Sequence, residues 1–325
     1  MQNIILRFNR FQQHHPVIGF PLAVIKKYGD DQAGYQAALL TYYGFLSLFP
    51  LLLVLTSVMQ LVFQGNDQLR QRILTSSTEY IPPALSHQLA GNVGGLSGTG
   101  LALAAGILVT LYGARGVADA FRNTMNHVWQ VPYAKRPGFP AGQLRSLAMV
   151  VVGGIGLLAA PLLAGLATSG GHALAFRVLS LAITLAVLWG VFVFLTRMSI
   201  PHLTFRDIWT GSLMTALGLM ILQSVGGYIV ARELRHMGSL YGAFAIVLGL
   251  LFWLYLQSQV ILYAAETNSV RVFKLWPRSI EANSMTEQDR HAYRLYAQRT
   301  QYQTVEQAKA RTPKTSAASS DDSKR

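Results

Sequence analysis

The feature that most constrains this chain is a stretch without any Asp, Glu, Lys or Arg, which runs from Gln32 to Asn66. Its apolar core extends from Tyr35 to Phe63. A helix needs about 20 mostly apolar residues to cross the ~30 Å hydrocarbon core of a bilayer, so this segment is long enough to span a membrane with some tilt. A helix in water would need a polar face, and this segment has only scattered hydroxyl and amide groups. The stretch therefore predicts an integral membrane protein.

Five further charge-free windows follow along the chain. Charged residues make up only 13% of the sequence, against a usual share of ~25%, and they are concentrated between the windows. Each window is long enough for one membrane crossing. We therefore predict an all-α integral membrane protein, a bundle of six transmembrane helices with amphipathic interfacial helices. The further windows are Tyr80–Ala114, Ser146–Phe176, Val178–Thr196, Ile208–Ala231 and His236–Ala265.

The basic residues are distributed unevenly around the predicted spans. Of the 27 Lys and Arg residues, the N-terminal segment, the second loop, the fourth loop and the C-terminal segment hold 4, 5, 2 and 11. The first, third and fifth loops hold only 2, 1 and 2. This is the positive-inside bias of a multi-pass protein, and it places both termini in the cytoplasm. It also accounts for most of the net charge of +13, so we expect membrane lipids rather than nucleic acid as partners.

The two ends of the chain are predicted to lie outside the membrane. We divide the chain into a cytoplasmic N-terminal segment (1–34), a transmembrane domain (35–280) and a cytoplasmic helix with a disordered tail (281–325). Leu6, Phe8 and Phe11 among arginines predict a short interfacial helix. The apolar run that follows is short, is broken by Pro21 and ends at a Lys pair, so it does not read as a cleaved signal peptide. Near the C-terminus, Ser284 and Glu287 predict a capping box and a helix to about Arg311.

Two predicted spans carry polar stripes. In the first span Gln36, Tyr43 and Ser47 share a face with Pro50, which removes one helical hydrogen bond. In the sixth span Tyr255, Gln259 and Glu266 fall near one face, with Glu266 at the cytoplasmic exit, where ionisation costs little. The stripe of the first span is either a helix-packing seam or the wall of a polar cavity. The stripe of the sixth span is either the capped end of a helix or part of that cavity. The candidate cavity residues are Gln36, Tyr43, Ser47, Pro50, Tyr255, Gln259 and Glu266.

The loops between the spans predict further amphipathic helices. In the second loop, residues 113–146, an apolar face carries Val117, Phe121, Met125 and Val128, and another face carries Arg115, Asp119, Arg122 and Asn126. The charged face is either solvated or a cytoplasmic mouth that binds an anion or a lipid headgroup. The loop at 64–95 also predicts one or two amphipathic helices, on the outer surface.

No residue pattern in the chain is typical of a catalytic or metal centre. The absence of cysteine excludes disulfides, thiol catalysis and Cys-based metal sites. The pair His14 and His15 lacks the further ligands that a metal site requires. No paired carboxylates stand in a soluble segment. We therefore expect no cofactor, no metal and no enzymatic activity.

Three patches resemble the YihY/BrkB family of bacterial inner-membrane proteins. They are AALLTYYGFLSLFPLLL with Tyr42, Tyr43, Ser47 and Pro50, then FRNTMNHVW with Asn126 and Trp129, and finally YGAFAIVLGLLFWLYLQSQVILYAAETN with Tyr241, Gly242, Trp253, Tyr255, Glu266 and Asn268. The resemblance covers about residues 30 to 270 and implies six spans in the inner membrane. Members were once labelled ribonuclease BN, a label now regarded as a misassignment, and this chain lacks the groups that phosphodiester hydrolysis normally needs.

These observations favour a transporter-like or lipid-handling protein of the bacterial envelope, with a small molecule or a lipid as its substrate. The alternative is a non-transporting envelope scaffold or assembly partner, in which the polar stripes only hold helices together. The sequence does not specify the oligomeric state.

Overall fold

The computed structural model describes residues 2–62, 101–168, 174–241, 244–281 and 284–300, and every regular element within these ranges is helical. These elements include one short 3₁₀ turn, at Tyr133–Lys135. The helices are α1 (Gln2–His14), α2 (Pro16–Asp30), α3 (Ala33–Val62), α4 (Leu101–Val128), α5 (Ala141–Thr168), α6 (Leu174–Ser199), α7 (Phe205–Tyr241), α8 (Phe244–Val272) and α9 (Glu287–Arg299).

The six long helices α3 to α8 form a closed ring. Each helix packs against the next one in the chain, and α8 closes the ring against α3. Neighbouring helices run in opposite directions, since the start of α5 contacts the second half of α4 and the start of α7 contacts the end of α8. The helix α4 also contacts α6 and α8, so it lies nearest the centre, as its many small residues predict.

The helices α1, α2 and α9 lie outside the ring, and α2 packs on α8 and α3. They gather at the end of the bundle where α4, α6 and α8 finish, which we call the network end. The main apolar core also lies there, where side chains from all six ring helices meet. Its members include Ala37, Phe121, Met149, Phe192, Ile208 and Leu262.

A second, smaller core joins α7 and α8 around Trp253, which is almost fully buried. A Cβ atom at Gly226 would lie only 2.0 Å from the Trp253 ring. The absence of a side chain at Gly226 therefore lets the two helices approach closely, as small residues do in membrane bundles.

Three described helical segments are long and apolar enough to cross a membrane: Leu174–Ser199, Phe205–Gly226 and Val247–Val272. Large apolar side chains also point away from the ring, such as Leu174, Val178 and Leu181 on α6. An exposed apolar face of this kind would be costly in water and is typical of contact with lipid. The all-helical membrane fold is thus supported, while the count of six spans stays a prediction.

Several element boundaries differ from those that the sequence predicts. The second span and the amphipathic helix after it form one continuous helix, α4. On its predicted apolar face Phe121, Met125 and Val128 are buried and Val117 is half-buried. The run from Val17 to Ile25 lies within α2, which continues through Pro21. The predicted helices at 64–95 lie outside the described residues, and so does the chain beyond residue 300.

The predicted capping box is wrong by two residues. The N-cap of α9 is Thr286, whose side chain accepts a hydrogen bond from the backbone N–H of Asp289, while the Asp289 carboxylate accepts one from the backbone N–H of Thr286. Both positions fit the sequence pattern for a capping box, and contacts of Asp289 with distant residues select the later one. The helix ends at Arg299, well before Arg311.

Candidate functional site: a buried charge network

A cluster of charged side chains is buried at the network end, and we call it the inner network: Lys27, Asp31, Gln130, Glu266 and Arg299. The side chains of Lys27, Asp31 and Glu266 are completely inaccessible to solvent. The Lys27 ammonium group donates to Asp31 Oδ2 at 2.6 Å, to Glu266 Oε2 at 2.6 Å and to the Val128 carbonyl at 2.8 Å. An ammonium group has three donors, so Lys27 is fully satisfied.

The ends of two helices bring the inner network together. Lys27 and Asp31 are one turn apart at the end of α2. Gln130 follows the end of α4 with a φ of 54°, in the left-handed region that usually holds glycine at this position of a helix C-terminus. Its Nε2 donates to both carboxylate oxygens of Asp31, at 2.7 and 2.9 Å. Arg299, on α9, donates to Asp31 Oδ1 at 3.0 Å.

The electrostatics of Lys27 reflect two opposing effects. Burial lowers the pKa of Lys27, but the carboxylates of Glu266 and Asp31 outweigh burial and raise it above its ordinary value. Lys27 is therefore charged at neutral pH. Oε1 of Glu266 and Oε1 of Gln130 have no hydrogen-bond partner among the described residues. Such buried acceptors without partners carry a desolvation cost.

A second set of ion pairs, the outer network, attaches the chain's two ends to each other: Lys26, Asp30, Arg278, Asp289 and Tyr296. Arg278 is buried between Asp30 and Asp289, at 2.9 Å from each carboxylate. Lys26 also donates to Asp289, at 2.8 Å. Burial alone would raise the pKa of Asp289, but hydrogen bonds from Lys26, the Ser279 backbone and Arg278 lower it well below its usual range. The adjacent residues Lys26 and Lys27 thus belong to separate networks.

The predicted polar face of α8 points toward α2. The Tyr28 hydroxyl donates a hydrogen bond to Gln259 Oε1. Burial raises the pKa of Tyr28 to about 12, so the hydroxyl stays protonated at neutral pH. The Tyr28 ring also stacks on Tyr263 at 4.3 Å. Tyr255 packs on the main core. Glu266 is fully buried against Lys27, rather than at an exit where ionisation costs little, because α2 covers this end of α8.

The predicted polar stripe of α3 lies mainly against α4. Gln36 accepts a hydrogen bond from Thr124 at 3.2 Å, and the Tyr43 ring lies against Gly116. Ser47 donates to the Gly44 carbonyl within its own helix. The helix α3 continues through Pro50, whose side chain lies outside the described atoms. The stripes of α3 and α8 therefore contact different helices, and their role as one cavity lining stays a prediction.

The four predicted mouth residues lie in the second half of α4. Arg115 and Arg122 both pair with Asp119, at 3.1 and 3.0 Å. Asn126 is buried and donates to the Arg122 carbonyl, so it takes no part in the charged cluster.

A small cavity lies between α4, α6, α7 and α8, with enough room for a water molecule. The Ser212 hydroxyl lines the cavity and has no hydrogen-bond partner among the described residues. The surrounding side chains are mostly apolar, among them Phe121, Trp129 and Phe192. The site suits a buried water better than a charged ligand.

Sequence reasoning missed Lys27, Asp31, Gln130 and Arg299. The spacing of Lys27 and Asp31, four residues apart, fits a helical ion pair, and this was the one local signal available. Within the described ranges, no group of three or more His, Asp or Glu side chains is arranged to hold a metal ion.

Comparisons with known proteins agree with the resemblance noted in the sequence. A family model described as Virulence factor BrkB matches residues 24–279. A similar protein, named UPF0761 membrane protein, from Teredinibacter turnerae (strain ATCC 39867 / T7901), is 31% identical over 248 residues. The match covers 71% of this chain and 55% of that protein, so the chain spans about half the length of this relative. No solved structure matches the chain. The family match includes Lys27, Asp31, Gln130 and Glu266, and the chain belongs to the Virulence factor BrkB family.

Proposed function

We propose that the chain is a six-span, transporter-like protein of the bacterial inner membrane, with both termini in the cytoplasm and a small molecule or a lipid as its substrate. It catalyses no reaction and does not bind nucleic acid. In this proposal the inner network is a gate that closes the cytoplasmic end of the bundle.

The observation that carries the proposal is the complete burial of Lys27, Asp31 and Glu266. Removing charges from water costs several kcal/mol per ion, and well-packed apolar residues of similar size are often as stabilising or more so. Of these residues, Glu266 lies within a candidate membrane span, Val247–Val272, and ionisable residues in membrane segments characteristically mark the pathways of substrates or ions. Apolar side chains in place of Lys27, Asp31 and Glu266 would hold α2 on α8 equally well. If this contact has to open during function, charged side chains that can return to water have an advantage over apolar ones.

The position of α2 supports a gate. Lys27 lies on α2, outside the ring, whereas Glu266 lies on α8, within it. A movement of α2 would separate this pair without disturbing the contacts that close the ring. The same movement would expose Gln259, which Tyr28 covers. The polar face of α8 would then be open from Glu266 to Gln259, toward the interior of the ring.

The double variant Lys27→Met/Glu266→Met tests the gate. Two apolar side chains hold α2 on α8 without the charges, so we expect a folded protein that no longer complements the phenotype of a deletion strain. The chain has no cysteine, so Ser47→Cys is a unique reporter deeper in the ring. Its reaction with a small water-soluble thiol reagent should be measurable in the otherwise native protein and slower in the double variant.

Leu262→Cys is the matched control, because Leu262 is fully buried in the apolar core and should not react in either background. If Ser47→Cys is equally unreactive and the double variant complements fully, the transporter proposal fails.

The second candidate function is a non-transporting envelope scaffold. The hydrogen bonds of the α3 stripe favour it, since Gln36 and Ser47 are both bonded within the bundle. Polar contacts of this kind hold membrane helices together. Full complementation by the double variant would make the scaffold the leading proposal.

A further inference from the structure

A third charged cluster lies where the second half of α4 meets the start of α5, separate from both networks. Asp119 accepts from Arg115 at 3.1 Å and from Arg122 at 3.0 Å. The Ser146 hydroxyl donates to the same carboxylate at 2.5 Å. A single carboxylate therefore partners two guanidinium groups and a hydroxyl.

The cluster has an excess of positive charge. Residues 113–146 contain five Lys or Arg residues, and Asp119 is their only acidic residue. Arg145 adds a third guanidinium group nearby and makes no ion pair within the described residues. Burial lowers the pKa of Arg122, and the charges of Arg145 and Arg115 lower it further against the opposing effect of Asp119. One carboxylate, that of Asp119, thus stands among three guanidinium groups, which leaves an excess of positive charge.

Two of the three arginines are accessible. The Arg115 side chain is 36% exposed, whereas Arg122 is 13% exposed and packs against Gly142. Arg145 is half-buried. An incoming anion would therefore contact Arg115 and Arg145, and Arg122 would add to the positive potential from behind them.

An exposed apolar face begins beside this cluster on α5. Leu144, Leu147, Val151 and Ile155 follow one another at helical spacing and are 71%, 39%, 46% and 64% exposed. Arg145 lies between this face and the face of Ser146, which contacts α4. Guanidinium groups next to a lipid-facing apolar strip match the two parts of an anionic phospholipid, its phosphate and its acyl chains.

We propose that Arg115 and Arg145 bind the headgroup phosphate of an anionic phospholipid whose acyl chains lie along the exposed face of α5. Guanidinium groups suit phosphate because their planar donors match its oxygen atoms, and basic pockets on the cytoplasmic side of membrane helices bind such headgroups. A soluble phosphate would use the same donors but would leave the apolar face without a role. The proposal does not depend on transport.

The test measures lipid binding to the full-length protein in detergent by native mass spectrometry. We expect phosphatidylglycerol to bind more tightly than phosphatidylcholine with the same acyl chains. Arg145→Gln and Arg115→Gln should each weaken phosphatidylglycerol binding roughly tenfold, the loss of one hydrogen bond to a charged group, and leave phosphatidylcholine binding unchanged. Arg177→Gln is the matched control: it removes the same charge from an exposed position near the start of α6, at the other end of the bundle.

Three results would overturn the proposal. The first is equal affinity for the two lipids, and the second is an equal loss of phosphatidylglycerol binding in Arg177→Gln. The third is displacement of phosphatidylglycerol by inorganic phosphate at comparable concentration, which would make this a site for a soluble anion. Arg145 makes no ion pair with any residue that the structure describes, so its variant should fold. If it does not, Arg115→Gln provides the same comparison, because Arg122 still pairs with Asp119.

Discussion

Lys27 is the residue on which the inner network depends. Its ammonium group is the only cation in direct contact with Glu266 among the described residues, whereas Asp31 also accepts from Arg299 and Gln130. The two carboxylates therefore differ in how much they need Lys27. Asp31 keeps two donors without it, and Glu266 keeps no ionic partner.

This asymmetry gives a prediction for stability. Lys27→Met leaves Glu266 as a buried charge without a partner, and we expect it to lower the free energy of unfolding by about 3–5 kcal/mol. Glu266→Met should cost less, because Lys27 keeps Asp31. The double variant should be more stable than Lys27→Met alone, because it also removes the unpaired Glu266 carboxylate, while Asp31 keeps Arg299 and Gln130 as donors in both. Unfolding of the purified variants in detergent measures all three values, and equal losses in the single and double variants would contradict the prediction.

The inner network shows where sequence reasoning ends at the residue scale. Glu266 could be predicted as a candidate site residue, because it lies on the polar face of a predicted span. Its partner Lys27 lies 239 residues away, in a segment whose basic residues also fit a simple topological signal. Which Lys pairs with Glu266 depends on how α2 packs, and a single sequence contains no signal for that packing.

At the scale of elements, α9 illustrates how a distant contact selects between two local patterns. Ser284 with Glu287 and Thr286 with Asp289 both fit a helix start. Asp289 also accepts from Lys26, Arg278 and the Ser279 backbone, which Glu287 does not. The local sequence pattern thus predicts a helix in this region, and the contacts of Asp289 in the outer network determine that α9 begins after Thr286.

The lowered pKa of Asp289 makes the docking of α9 dependent on pH. An unfolded Asp titrates near pH ~3.9, so the stability that ionised Asp289 provides is present above that pH and is lost as the pH falls through the lower, folded pKa. We expect Asp289→Asn to speed amide hydrogen exchange in residues 287–299 roughly fivefold or more at pH 7, the loss of about 1 kcal/mol typical of a helix cap.

At pH 3 the native protein and Asp289→Asn should exchange at more similar rates, because the undocked Asp289 carboxyl group is largely protonated there and part of the stabilisation by its charge is lost. Glu287→Gln is the control at an exposed position of the same turn and should change little at either pH. A difference between Asp289→Asn and the native protein that stays constant from pH 7 to pH 3 would contradict the role given to the charge.

At the scale of the whole molecule, the sequence predicts which segments form long helices much better than how they pack. The charge-free windows each fall largely within one long helix where the structure describes them, because burial in lipid demands uninterrupted apolar sequence. The sequence does not reveal the contact of α8 with α3 that closes the ring, or the position of α2 over α8. Those arrangements depend on small residues and polar contacts between helices. Such residues do not recur at a regular spacing that would identify the partner helix from the sequence.

Membrane topology is the whole-molecule property that decides whether the inner network faces the cytoplasm. The connections α4–α5 and α6–α7 lie at the network end, and with the two chain ends they hold most of the basic residues, so the positive-inside rule predicts that this end faces the cytoplasm. Gly138 and His202 are exposed in those two connections, and Gly170 lies between α5 and α6.

Because the chain has no cysteine, single cysteines at Gly138, Gly170 and His202 can be labelled unambiguously with a membrane-impermeant maleimide. We expect Gly170→Cys to react in intact cells, and Gly138→Cys and His202→Cys to react only after the membrane is permeabilised. Reaction of Gly138→Cys or His202→Cys in intact cells would reverse the orientation and move the gate to the outer side, and reaction of all three from one side would show that α5 does not cross the membrane.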